Sequence, residues 1–247
     1  MKLTKIYRYP VKSVGFETVN SVALTPGVPM PGDRLFAIAH GKSDWDPATP
    51  TWMRCVNFLR VANIPALAAL RVAFDLETQT LQLWDKSGDT SSFNLNSDAE
   101  ALLAKLAGYA EEALPGPYSL ASLAGETLTD SREQTPSLMS FASLRALSTD
   151  MGVELDSLRF RGNFWIDDAE PWAELNWVGK EVQIGDVRFE VQKPIMRCVA
   201  TAANPESGER DHNPLLPLKR LHGEPLFGVL VKPINKGEIT VGDTVAL

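Results

Sequence analysis

A chain of 247 residues, 44% hydrophobic and 22% charged, is long enough for one large soluble domain or two small ones. Its net charge of −7 argues against a broad electrostatic attraction to nucleic acid or to an anionic membrane surface. No apolar run approaches the roughly 18 residues that a spanning helix needs, and the first residues form no apolar signal core, so we expect a cytoplasmic protein.

Strand signals dominate the first 90 residues. Alternating apolar and polar residues predict strands at 4–9 and 18–24, and a proline follows each of them. Shorter apolar runs predict strands at 35–39, 67–74 and 80–84. Short strands separated by glycine and proline turns are typical of a barrel, so we assign residues 1–90 to an N-terminal β-barrel module.

Helical signals are few and fall mainly in the middle of the chain. Ser97 and Glu100 have the spacing of a capping box and predict a helix to about residue 106, ended by Gly108. Residues 109–136 have little periodicity, so we assign 91–136 to a helix and a linker. A second helix is predicted at 142–150, ended by Gly152.

Strand signals return in the last part of the chain, which we assign to a second domain at 137–247. Residues 181–184 and 187–192 alternate on either side of Gly185-Asp186 and predict a hairpin. Further strands are predicted at 226–231, 238–240 and 244–246, and a short helix at 217–221. The sequence therefore predicts a mainly β protein with a few short helices, and not a doubly wound sheet.

Two cysteines, Cys55 and Cys198, are too few for a disulfide framework, and zinc-binding, nucleotide-binding and esterase motifs are all missing. Cys198 follows Arg197, and a neighbouring cation favours the thiolate form that acts as nucleophile or metal ligand. A free cysteine is more often a small buried hydrophobe, and Cys55 also follows an arginine. A Cys198–His212 nucleophile is a further alternative, and the spacing leaves all of them open.

Several cations lie in loops bounded by glycine or proline, namely Lys12 beside Ser13, Arg34 and Arg161. In an acidic protein such residues can converge on one anion, for example a phosphate. For each of them taken alone, a solvated surface charge is the simpler interpretation.

Taken together, these segments resemble a known family over nearly the whole chain. The runs IYRYPVKS at 6–13 and PGDR at 31–34 resemble the N-terminal β-barrel module that precedes MOSC domains. The runs RFRGN at 159–163, RCVAT at 197–201, NPESG at 204–208 and VGD at 241–243 resemble the MOSC domain itself. The family includes the C-terminal domain of molybdenum cofactor sulfurases and the mitochondrial amidoxime-reducing component with its bacterial relatives.

The resemblance implies a molybdenum cofactor, molybdopterin-bound molybdenum, with Cys198 as metal ligand and catalytic residue. A soft thiolate is a suitable ligand for such a metal. The positions that correspond to cofactor-binding residues of the family are Lys12, Ser13, Arg34, Ser143, Arg161, Asn163, Arg197 and Thr201. The chain departs from the family pattern at Gly162, usually proline, at Asn204, usually aspartate, and at Ala202, usually threonine.

The function that this resemblance implies is reduction of N-hydroxylated or related N-oxygenated small molecules by a molybdenum-dependent oxidoreductase. The chain has no cysteine cluster for an iron–sulfur centre, so electrons are expected from a separate flavin or iron–sulfur reductase. One alternative is a non-catalytic carrier of the cofactor or of its sulfur. Another is a metal-free protein that carries a persulfide on Cys198.

Overall fold

The computed structural model describes all 247 residues and contains fifteen strands, three α-helices and five short 3-10 turns. The strands are Lys2–Arg8 (β1), Glu17–Val19 (β2), Ser21–Leu24 (β3), Phe36–Ala39 (β4), Arg71–Asp75 (β5), Thr80–Trp84 (β6), Thr90–Asn94 (β7), Ser119–Ser122 (β8), Ser137–Ser140 (β9), Phe164–Asp167 (β10), Glu181–Ile184 (β11), Val187–Met196 (β12), Leu226–Pro233 (β13), Gly237–Thr240 (β14) and Val245–Ala246 (β15). The helices are Ala99–Ala110 (α1), Phe141–Met151 (α2) and Leu215–His222 (α3). The 3-10 turns are Cys55–Asn57, Pro65–Ala69, Ser157–Phe160, Ala173–Trp177 and Val199–Ala202. The predicted fold class, mainly β with a few short helices, is confirmed, and no helix is long and apolar enough to span a membrane.

An eight-stranded sheet in the order β15-β11-β12-β13-β9-β10-β1-β2 forms the body of the molecule. The first strand of the chain lies inside this sheet, antiparallel to β10, with Ile6 opposite Phe164. β3 also leaves the N-terminal part of the chain and pairs with β14 near the C-terminus. A hydrophobic cluster of 18 buried residues, from Leu3 to Val245, packs on these strands. The start of the chain is therefore held against its C-terminal half.

The remaining N-terminal segments form a second cluster of 20 buried residues around the antiparallel strands β5, β6 and β7. Alternate side chains of β6 are buried, as period-2 patterning requires. Helix α1 packs Leu102, Leu106 and Ala110 against the same cluster. Ala203, from the C-terminal half, joins this cluster, so the two halves share a packed boundary.

The first helix differs from its prediction at both ends. It begins after Asp98 and not after Ser97, and the Asp98 carboxylate accepts from the Asn94 amide at 3.1 Å instead of capping the helix. The helix also runs through Gly108 to Ala110, because burial of Ala110 on the apolar stripe outweighs the low helix propensity of one glycine. The predicted capping box is thus wrong. In contrast, α2 begins after the Ser140 cap and ends at Gly152, which has a left-handed backbone and was predicted to end this helix.

Two strand predictions and the predicted linker also need correction. Residues 18–24 form two strands, β2 and β3, which pair with different partners. Residues 65–69 form a 3-10 turn, which Pro65 favours at its first position, so β5 begins only at Arg71. The region predicted as a linker contains β8, which pairs with β4. β8 has only four residues, which are too few for an alternating pattern to be recognised, so only its pairing with β4 identifies it as a strand.

Candidate functional site

A cavity of about 760 Å³ lies where the two halves meet. Its walls come from the Lys12 turn, from residues 55–62 of the N-terminal half, and from segments 129–137, 159–163 and 193–201 of the C-terminal half. Of the nine residues singled out in the sequence, the structure places eight on this wall: Lys12, Ser13, Arg34, Arg161, Asn163, Arg197, Cys198 and Thr201. Loops that are far apart in the sequence therefore converge on one space.

Cys198 is a free, exposed cysteine just beyond the end of β12. It has extended backbone geometry and precedes the 3-10 turn Val199–Ala202. Thr201 fixes this turn, because both its amide, at 3.1 Å, and its hydroxyl, at 2.9 Å, donate to the Cys198 carbonyl oxygen. The main chain of Cys198 is thus held in place while its thiol remains free on the cavity wall.

Arg197 lies beside Cys198 and has no carboxylate partner. Its Nε and Nη2 donate to the Phe227 carbonyl oxygen at 2.8 and 2.6 Å, and its Nη1 donates to the Phe160 carbonyl oxygen at 2.9 Å. Burial lowers the pKa of Arg197 to about 9, but the side chain remains charged at neutral pH. The guanidinium anchors the Cys198 turn to β13 and leaves its positive charge uncompensated next to the thiol.

Arg34 and Arg161 flank the ring of Tyr9, with guanidinium carbons 4.7 and 4.4 Å from the ring centroid. Both residues have left-handed backbones, at φ 51° and 48°, and Arg34 Nη2 donates to the Arg161 carbonyl oxygen at 2.7 Å. Arg34 also pairs with Asp33. Arg161 has no such partner: its Nη2 is buried without a hydrogen bond, and burial lowers its pKa to about 10. Such a donor is what a bound anion would satisfy.

Lys12 is buried, and its ammonium group donates to the Leu128 carbonyl oxygen at 2.7 Å and to Asp130. Asp130 is 72% exposed, but it faces the cavity, so it lies close to the surrounding cations. The cavity wall around this carboxyl partly excludes water, which on its own would raise the pKa of Asp130; Lys12, Arg34 and Arg161 outweigh that effect and hold the pKa below its usual value. Ser13, in the same turn, has φ 67° and its hydroxyl donates no hydrogen bond within the protein.

Asn163 reaches the wall, but its side chain is already occupied. Its Oδ1 accepts from the Ser137 amide at 3.2 Å and the Ser137 hydroxyl at 3.1 Å, while its Nδ2 donates to the Tyr7 carbonyl oxygen at 3.3 Å. Arg34 Nη1 is 3.5 Å from the same oxygen. Asn163 therefore joins β9 to β1 and orients Arg34.

The structure does not bring Ser143 to the cavity. It is fully buried in the first turn of α2, where its hydroxyl donates to Glu174 Oε2 at 2.8 Å and accepts from the Trp172 amide at 2.8 Å. Both hydrogen-bonding roles of the hydroxyl are filled within the protein, so the expectation that Ser143 binds the cofactor is corrected. The motif match identified a serine at the right sequence position, but its helix turns the side chain into the core.

Several residues on the wall had no signal in the sequence. Asp130 lies in the segment interpreted as a linker, and Arg60 lies between buried neighbours in a segment without periodicity. Cys55, for which the sequence predicts no role, also lines the cavity. The repeated Arg-Cys pair was the one feature that could have drawn attention to it.

The cavity carries positive charge in a protein that is negative overall. Eight lysines or arginines and two carboxylates line it: Lys12, Arg34, Arg60, Arg132, Arg159, Arg161, Lys193 and Arg197 against Asp130 and Glu133. Walls that concentrate one sign of charge attract ligands of the opposite sign. The arrangement can therefore bind an anionic ligand and present a thiol to it.

Comparisons with known proteins identify two matching domain families. Residues 1–115 match the MOSC N-terminal beta barrel domain, and residues 125–246 match the MOSC domain. The molybdenum cofactor sulfurase of Drosophila ananassae is 34% identical over 113 residues, and that of Drosophila pseudoobscura pseudoobscura is 32% identical over 117. Each match covers 44% of this chain and 14% of the relative, so the chain spans a small part of the sulfurases it resembles.

Among solved structures, the YuaD protein of Bacillus subtilis aligns over 99% of this chain and 93% of its own, with a TM-score of 0.48 and 12% identity. The two sequence matches together span almost the whole chain, in the order that the resemblance of its motifs implied. The chain belongs to the MOSC family, with a MOSC N-terminal beta barrel domain followed by a MOSC domain.

Proposed function

We propose that this protein binds the molybdenum cofactor in its cavity, with the Cys198 thiolate as metal ligand, and reduces N-hydroxylated or related N-oxygenated small molecules. The observation that carries the proposal is the presence, in one cavity, of a free exposed thiol and of Arg161 Nη2, a buried cationic donor without a partner. Relatives that are molybdenum cofactor sulfurases add support for the cofactor.

The donor set fits such a group chemically. Its phosphate is an anion, which Lys12, Arg34 and Arg161 can bind and to which the free Ser13 hydroxyl can donate. A soft thiolate suits a metal whose other ligands are sulfur atoms. Arg161 Nη2 would gain the acceptor that it lacks within the protein.

Three further residues on the wall act by positioning the binding groups. Thr201 holds the Cys198 carbonyl oxygen, and Arg197 holds the turn from the other side. Asn163 orients Arg34. We therefore assign Thr201, Arg197 and Asn163 to support of the site, and Lys12, Ser13, Arg34, Arg161 and Cys198 to contact with the group.

When bound, the cofactor supplies two-electron redox chemistry at its metal, and the protein supplies binding and orientation. The overall reaction, R–NHOH + 2 e⁻ + 2 H⁺ → R–NH₂ + H₂O, breaks the N–O bond, reduces the nitrogen and releases the oxygen as water. The two cysteines of this sequence cannot hold a four-thiolate iron–sulfur cluster, and the electron donor that we propose is a flavin or iron–sulfur reductase. Free thiols suit a reducing compartment, and we place the reaction in the cytoplasm.

The test is purification from a host that makes the cofactor, followed by elemental and pterin analysis. Reduction of benzamidoxime is then measured with a chemically reduced viologen dye as electron donor. We expect about one molybdenum per chain and turnover that disappears in Cys198→Ser. Cys55→Ser is the matched control and should retain turnover. Protein that contains no molybdenum under these conditions overturns the proposal.

The exposure of Cys198 also favours a second candidate, a carrier of the cofactor or of its sulfur. A carrier needs a thiol that a partner protein can reach, and an exposed thiol at a cavity wall meets that need. The carrier predicts bound molybdenum without turnover or, if sulfur alone is carried, a mass increase of one sulfur atom on Cys198. Turnover that depends on Cys198 excludes a purely carrying role.

A further inference from the structure

Arg60 lines the cavity but corresponds to none of the motifs that relate the chain to its family. Its main chain is tightly held. The Leu59 amide donates to the Ile38 carbonyl oxygen at 2.8 Å, and the Arg60 carbonyl oxygen accepts from the Asn63 and Ile64 amides, both at 2.9 Å. The neighbours Leu59 and Val61 are buried. Arg60 therefore extends toward the cavity from a fixed backbone.

The guanidinium of Arg60 has no partner within the protein. It forms no ion pair and donates no hydrogen bond, and its Nε is buried without an acceptor. Two other arginines on the wall have a carboxylate partner: Arg34 pairs with Asp33, and Arg159 pairs with Asp211. Arg60 as a whole is only partly buried, but a buried donor without an acceptor is costly, so its Nε indicates a ligand that supplies the missing acceptor.

Arg60 belongs to the part of the wall that adjoins the Cys198 turn. Arg210 donates to the Ala62 carbonyl oxygen and forms a β-bridge with Ala203, so segment 60–62 is tied to the chain that follows Cys198. Ala200 packs on the same hydrophobic cluster as Val61. By contrast, Arg34 and Arg161 gather around Tyr9, on β1's side of the cavity. The two groups of cations suit two different anionic groups.

We propose that Arg60 binds a carboxylate on the small-molecule substrate, so that the preferred substrates are N-hydroxylated compounds that carry a carboxylate. This inference rests on the proposed function and adds the substrate class to it. A guanidinium binds a carboxylate through two parallel hydrogen bonds, which gives geometric selectivity. Val61, Ala62 and Val199 offer apolar wall for the body of the substrate.

The experiment compares benzamidoxime with its 4-carboxylate derivative by isothermal titration calorimetry on the purified protein. For the wild type we expect the carboxylate to bind about tenfold more tightly, which corresponds to about 1.4 kcal/mol. Arg60→Gln should abolish the preference, and Arg60→Lys should keep part of it. In turnover, Arg60→Gln should raise KM for the carboxylate about tenfold more than it raises KM for benzamidoxime.

Arg54→Gln is the matched control, because it removes the same charge from the same segment at an exposed residue off the cavity wall. It should behave as the wild type does. Equal affinity of the wild type for both compounds overturns the inference, as does an Arg60→Gln variant that keeps the preference. Loss of molybdenum from Arg60→Gln with the preference intact would assign Arg60 to the cofactor instead. Absent turnover counts against the proposed function alone, since the binding preference is measured without it.

Discussion

Arg197 Nη2 donates a hydrogen bond to the thioether sulfur of Met139 at 3.0 Å. Two glycines make room for that side chain. A Cβ atom at Gly162 would lie 2.4 Å from Met139 Cγ, and one at Gly228 would lie 2.1 Å from the Met139 sulfur. The departure from the family pattern at Gly162 thus has a physical reason: Met139 fills the space that a side chain at position 162 would need, and it contacts the arginine that anchors Cys198.

The first prediction concerns this packing. Gly162→Ala should lower the free energy of unfolding by about 1–3 kcal/mol, because Met139 is fully buried and cannot move away without cost. Adding Met139→Ala should relieve the clash, so a double-mutant cycle followed by urea unfolding should give a coupling of about 1 kcal/mol or more. Additive effects of the two changes would contradict the contact.

The control for that prediction is Gly108→Ala. Gly108 lies inside α1 with open space around its Cα, so the added methyl meets nothing. Alanine in a helix interior should raise the free energy of unfolding by about 0.5–1 kcal/mol. The two glycines should therefore respond to the same substitution with opposite signs.

A second prediction follows from the departure at Asn204. Asn204 Nδ2 donates to Asp211 Oδ2 at 2.7 Å, while Arg159 binds the same carboxylate through both terminal nitrogens at 2.7 and 2.6 Å. The family's usual aspartate could not donate and would face Asp211 with a second negative charge. Asn204→Asp should lower the free energy of unfolding at pH 7 by about 1–2 kcal/mol. No loss at pH 7 would show that the hydrogen bond is dispensable.

The Arg159–Asp211 pair gives a third prediction. Arg159 is almost fully buried, and removing its partner leaves a charge in the protein interior. Asp211→Asn should cost about 2–3 kcal/mol in urea unfolding, whereas Asp150→Asn, at the exposed pair with Arg220, should cost less than about 1 kcal/mol.

The pH dependence of that loss can be stated as well. Hydrogen bonds from Arg159 hold the pKa of Asp211 well below its usual value. The stabilising contribution of Asp211 is therefore fully present above about pH 4 and is lost only as the pH falls through the lowered pKa. Wild type and Asp211→Asn should converge in stability in acid; a constant difference down to low pH would contradict the ion pair.

The cations that line the cavity were partly predictable, and the reason lies in their loops. Lys12, Arg34 and Arg161 lie close to glycine or proline residues, and such a short-range pattern can be recognised in a single sequence. Arg60 lacks any such pattern, because its position on the wall depends on contacts with residues 199–211, far along the chain. Ser143 does not line the cavity for a related reason. A motif gives only a position in the sequence, whereas the residue at which α2 begins determines the direction of the Ser143 side chain.

The same contrast holds for the fold. The hairpin of β11 and β12 is local, and Gly185 marks its turn with a φ of 54°. The placement of β1 between β2 and β10 depends on residues far apart in the sequence. The periodicity of residues 2–8 predicts a strand but not which strands lie beside it. Within β1 the adjacent residues Ile6 and Tyr7 are both buried, so neighbouring parts of the chain cover both faces of the strand there.

A fourth prediction separates cofactor binding from stability. Arg161 is a buried cation without an acceptor, so Arg161→Gln removes a desolvated charge and should not lower the free energy of unfolding of the unloaded protein. The variant should nevertheless contain at least about tenfold less molybdenum after purification, since a charge-assisted contact to the phosphate is lost. Arg145→Gln, which removes an exposed arginine paired with Asp167, should keep its molybdenum. Undiminished molybdenum in Arg161→Gln would remove Arg161 from the binding set.

The fifth prediction concerns Glu174, whose Oε2 accepts from Ser143 and whose buried Oε1 has no partner. Burial raises the pKa of this carboxyl, so the folded protein holds its proton more tightly than the unfolded chain does. Below about pH 4 both states are protonated, and the group has no effect on the folding equilibrium. As the pH rises, the unfolded chain ionises first, and the free energy of unfolding therefore falls until the folded state ionises too.

Glu174→Gln cannot ionise and keeps an oxygen that can accept from Ser143. It should match the wild type near pH 4 and become progressively more stable than the wild type toward pH 7, as measured by the urea midpoint at each pH. Glu170→Gln, the same change at an exposed position, should leave the profile as it is. If Glu174→Gln follows the wild type in parallel across this range, the proton is not held in the folded core, and the carboxyl must find a partner that the static structure lacks.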